Sequence, residues 1–68
     1  MHLLIQITPR DKRIMQFVAN GFTALQIADR IGLSKRTVEH RILILRKRLK
    51  SKSITHLAIT LLRAKVIK

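Results

Sequence analysis

The chain is 68 residues long, room for one domain, and sets fifteen Lys and Arg against three Asp and Glu, a formal charge of +12. Nearly half of it (47%) is apolar, which excludes a disordered basic tail because that fraction can bury enough surface to offset the entropy of ordering. The charge suits a polyanionic partner, while the lack of cysteine excludes a disulfide framework or thiolate zinc site, and three scattered histidines make no metal cluster.

Residues 1–7 read as an N-terminal arm, apolar apart from His2 and Gln6, that either covers the core as a short strand or adds a dimer contact. The arm is too short to span a membrane and lacks the basic start and cleavage site of a signal peptide, so no membrane association is expected. The domain proper takes residues 8–68. Thr8-Pro9-Arg10-Asp11 predicts a helix start, with a Thr cap, Pro where its missing N–H costs nothing, and an acid in the first turn. Ile14, Phe17 and Val18 supply the inward stripe, with Met15 close by, and Asn20-Gly21 ends the helix.

Thr23 and Gln26 have the spacing of a capping box at the start of a second helix, and Phe22 and Ile27 are placed to staple it. Its apolar face is Ile27, Ala28 and Ile31, and Gly32 stops it. Only Gly32, Leu33 and Ser34 then separate it from a third helix, the length of a helix-turn-helix turn; Ser34 is the cap and Leu33 staples to Val38.

The third helix, residues 34–50, organises the chain. Val38, Ile42, Leu45 and Leu49 recur at i, i+4, i+7 and i+11, so one stripe faces a core. The opposite side gathers Arg36, His40, Leu43 and Lys47, flanked by Lys35 and Glu39, and residues 35–52 hold eight basic residues and one acid. Such a face suits a DNA groove. After a polar basic loop, Ser53 caps a fourth helix from residue 54 to about residue 65. Its core stripe is Ile54, Leu57, Ala58, Leu61 and Ala64. A second stripe, Thr55, Ile59, Leu62 and Val66, lies roughly 100° away. Ile59, Leu62, Arg63 and Val66 are therefore a candidate dimer interface, the alternative being scattered surface aliphatics.

The sequence resembles the LuxR-type, or GerE-like, helix-turn-helix domain of bacterial transcription regulators. The resemblance rests on Ile7-Thr8-Pro9-Arg10-Asp11, Val18-Ala19-Asn20-Gly21-Phe22-Thr23, Gln26-Ile27-Ala28, Ile31-Gly32-Leu33-Ser34, Arg36-Thr37-Val38 and the stretch from Leu45 to Leu49. It implies an all-α, four-helix domain whose third helix enters the major groove, whose second crosses the phosphate backbone, and whose fourth often joins two subunits. Arg41 stands where many members have His, Lys50 where the third helix commonly ends in Gly, and Arg13 where an acid is frequent. Leu43 and Ile44 occupy positions often polar or basic. Either Leu43 reads an apolar feature such as a thymine methyl, or Leu43 or Ile44 packs against the arm or a partner protein.

The expected function is that of a small sequence-specific DNA-binding transcription regulator, a dimer on an inverted repeat. Base-edge contacts would fall to Arg36, Glu39, His40, Leu43 and Lys47, with Lys35, Thr37 and Arg46 on the same candidate surface and Thr23 holding a phosphate at the second helix. Glu39 would accept from cytosine N4 or orient Arg36 or Lys35; otherwise it forms an ordinary helical ion pair with one of them. Arg46, Arg48, Lys50 and Lys52 would line the flanking backbone or remain in solvent. The alternative function is a protein-interaction module that pairs with a larger LuxR-type regulator or RNA polymerase.

No enzyme is expected, because Asp11, Asp29 and Glu39 lie on separate helices, there is no Gly-rich loop, catalytic Cys or metal constellation, and the chain is too short for a substrate cleft. Nor is any cofactor, metal or small-molecule ligand. Cytoplasmic, nucleoid-associated placement in a bacterium or phage is expected. No sensor segment precedes the domain in this sequence, so control by abundance, dimerisation or a second protein is expected unless the sequence is a fragment.

Overall fold

Every helix begins where a hydroxyl takes up an amide that the first turn leaves without a partner. Thr8, Thr23, Ser34 and Ser53 accept from the N–H groups of Asp11, Gln26, Thr37 and His56 at 3.1, 3.2, 3.0 and 3.0 Å. The computed structural model describes residues 7–68. Among them are four α-helices and no strand: α1 (Pro9–Ala19), α2 (Ala24–Ile31), α3 (Lys35–Arg48) and α4 (Ile54–Arg63). The strand or arm expected over residues 1–6 lies outside the described residues; Ile7 packs, half-buried, on the core.

At α2 the expected capping box is complete, since the Thr23 N–H also donates to Gln26 Oε1 at 2.9 Å. The core takes residues from every helix: Ile14 and Met15, Ile27 and Ala28, Val38, Ile42 and Leu45, then Leu57, Ala58 and Leu61. Phe17 and Val18 are only partly buried. Phe17 meets Phe22 with ring centroids 4.9 Å apart and the ring planes tilted by 45°, and the guanidinium groups of Arg13 and Arg30 lie over these rings.

The fourth helix departs from expectation at both ends. Ile54, placed on the core stripe by its spacing, is exposed in the first turn. The helix stops at Arg63, and Lys65 turns left-handed (φ 59°) so that the Val66 N–H reaches the Leu61 carbonyl at 2.9 Å. Val66 therefore leaves the line of Ile59 and Leu62 and packs on the core, while Ile67 is 4% exposed. Burial of two aliphatic side chains explains the reversal: continuing the helix would have left them in water. Gln16 holds the reversed segment, its amide donating to the Lys68 carbonyl at 2.6 Å and accepting from the Lys68 N–H at 2.8 Å.

α3 closes in the same way as α4, with Lys50 at φ 53° and the Ser51 N–H bonded to the Arg46 carbonyl at 2.9 Å. A side chain in this conformation meets its own carbonyl, which glycine avoids. Replacing Lys50 with Gly should raise stability by about 0.5–1 kcal/mol, a few degrees in Tm. A thermal melt reads this directly; an unchanged or lower Tm would mean that the lysine makes up the strain elsewhere.

Candidate nucleic-acid interface

Burial of Val38, Ile42 and Leu45 sets the rotation of α3, and its outward side follows from that. Lys35, Arg36, Thr37, Glu39, His40, Leu43, Lys47 and Arg48 are all exposed, with Arg36, Thr37 and His40 around one shallow depression. The Thr37 hydroxyl lies 2.8 Å from that of Ser34, part of the cap. Glu39 and Leu43 border a second groove with Ala24, Ile42, Arg46 and Ile54. Ala24 is the first residue of α2, so the start of that helix, capped by Thr23, adjoins the open face of α3.

The register of α3 against α1 is held by an ion pair between residues 30 positions apart, which no local spacing predicts. Asp11 is 2% exposed and accepts from Arg41 twice, Nε at 3.1 Å and Nη2 at 2.7 Å. The hydrogen bond to Asp11, and then its charge, raise the Arg41 pKa above its ordinary value, so the guanidinium stays ionised at all working pH values. Asp11 thus does more than face the dipole of α1, and Arg41, which stands where many members have His, has a structural partner. The two residues lie 30 apart, and the local pattern around neither one names the other.

Arg46 is likewise tied to the protein. Its Nη2 donates to the Lys52 carbonyl at 2.9 Å, joining α3 to the loop before α4 rather than standing in solvent as one expectation had it. Glu39 makes no ion pair with Lys35 or Arg36 among the described residues. On α4, Ile59 and Leu62 are about two-fifths exposed and line a shallow apolar groove with Val18, Ala19, Phe22 and Thr55; Arg63 is exposed at the helix end.

A sequence profile for bacterial regulatory proteins of the luxR family (GerE) matches residues 6–61. The chain belongs to that family. As a LuxR-family domain it is a helix-turn-helix DNA-binding regulator, and its four helices are those the resemblance implied. No curated protein and no solved structure matches the chain. No helix among the described residues of this LuxR-family domain is long and apolar enough to cross a membrane.

Because Asp11 would be left buried and unpaired, Arg41→Ala should cost the LuxR-family domain about 2–4 kcal/mol. Changing Asp11 to Ala as well should recover part of that loss. Urea unfolding of the single and double variants measures both. An Arg41→Ala protein as stable as the parent would show that water reaches the Asp11 carboxylate.

Proposed function

We propose that the protein regulates transcription as a dimer that reads an inverted repeat, each subunit setting α3 in a major groove with half-sites about one helical turn apart. The observation that carries this reading is the open face of α3: Arg36, His40, Leu43 and Lys47 are exposed on the side opposite the buried Val38, Ile42 and Leu45. Arg36, Glu39, His40, Leu43 and Lys47 make the base-edge contacts, with Lys35 and Thr37 at the groove edge. Thr23 and the free amides behind it take a phosphate, helped by the dipole of α2. Arg46 contributes charge to the flanking backbone while holding the Lys52 carbonyl. Ile59, Leu62 and Arg63 of α4 form the dimer contact; Val66 adds to it only from the edge, being turned toward the core.

Electrophoretic mobility at about 150 mM salt, comparing a palindrome selected from random duplexes with its scrambled form, tests the reading. A preference on the order of a thousandfold is expected, and equal affinity rejects it. Affinity should also fall about a thousandfold or more between roughly 50 and 200 mM salt if six or more phosphates are neutralised. In sedimentation, Leu62→Glu should give monomers; an unchanged mass removes α4 as the interface.

A second reading, a module that docks on a larger regulator or on RNA polymerase, is favoured by the apolar groove of Leu43 and Ile54 beside α3. The double change Arg36→Ala, Lys47→Ala separates the two. It should weaken DNA binding by about tenfold or more under the first reading. Under the second it should leave a protein complex intact.

A further inference from the structure

We infer that Glu39 and Leu43 act as one reader, selecting the major-groove edge of cytosine together with a methyl group beside it. This rests on α3 entering the major groove as proposed above. The two residues are one helical turn apart on the open face and border the same groove. Leu43 is 41% exposed, and Ala24, Ile42 and Ile54 complete an apolar wall around it.

Glu39 is the sole acid of α3, on a face that must approach phosphates. The cations that could neutralise it do not: neither Lys35 nor Arg36 pairs with it, and Arg46, in the same groove, donates to the Lys52 carbonyl. A carboxylate there needs a donor from the base edges, and the major groove offers two, cytosine N4 and adenine N6. Adenine sets N7, a second acceptor, beside its amino group, which repels the carboxylate and suits no apolar wall. Cytosine sets the apolar C5 edge beside N4. The groove around Leu43 is therefore matched to cytosine with a methyl adjoining its amino group.

Two sources supply that chemistry. One is a thymine at the neighbouring step, since a base step is about 3.4 Å and a helical turn about 5.4 Å. The other is 5-methylcytosine at the position itself. Both place one methyl against Leu43, and burying one such group corresponds to roughly a fourfold change in affinity.

The test uses the whole chain and the palindrome selected as above, prepared in three forms: unmodified, with uracil for thymine, and with 5-methylcytosine for cytosine. If thymine supplies the methyl, the uracil duplex binds about fourfold more weakly per half-site; if 5-methylcytosine does, the methylated duplex binds about fourfold more tightly. In either case Leu43→Ala abolishes the difference, and Glu39→Ala relaxes the preference for cytosine. Leu43 is exposed, and circular dichroism will report that its variant is folded. Palindrome selectivity retained with neither modification felt, or with an effect that persists in Leu43→Ala, overturns this pairing while leaving α3 as the DNA reader. Loss of selectivity for any palindrome overturns both.

Discussion

The geometry of the open face of α3 depends on one buried carboxylate. Asp11 sits in the first turn of α1, where the helix dipole already favours a negative charge, and its two oxygens take the fork of Arg41 from the middle of α3. Packing of Val38, Ile42 and Leu45 fixes how α3 is rotated, but aliphatic side chains slide over one another more readily than a bidentate pair does. The ion pair sets the register of α3 against α1, and the three-residue turn from α2 sets its angle. Between them the open face has little freedom left.

The three acids divide the work of the chain. Asp11 is structural, Asp29 is an exposed residue of α2, and Glu39 stands unpaired among the described residues on the face of α3. Since all other formal charge is positive, an acid on that face weakens the general attraction to phosphate.

The helices could be read from the chain because their signals are local. Caps at Thr8, Thr23, Ser34 and Ser53, stops at Gly21 and Gly32, and the stripe of α3 each need only a few neighbouring residues to be interpreted. What escaped the sequence was long-range. Asp11 and Arg41 are 30 residues apart, and Gln16 and Lys68 are 52 apart, so no periodicity joins them. The end of α4 departs from its spacing for a related reason: Lys65 is not a residue that advertises a left-handed turn, and Ile67 fills a core position that a helical wheel cannot display. Of the candidate interface, the exposed side of α3 was legible, whereas the groove joining Ala24 and Ile54 to Leu43 required three elements to be assembled.

The tilted pair of Phe17 and Phe22 bears on how the surface charge is held. With Arg13 over one ring and Arg30 over the other, two guanidinium groups from different helices are parked on aromatic faces at the corner between α1 and α2. Cations so held have shed part of their freedom before any anion arrives. Phe22 also lines the groove of Ile59 and Leu62, so one of these cations is held at a fixed place beside that groove, and ordering it against anything that docks there would cost correspondingly little.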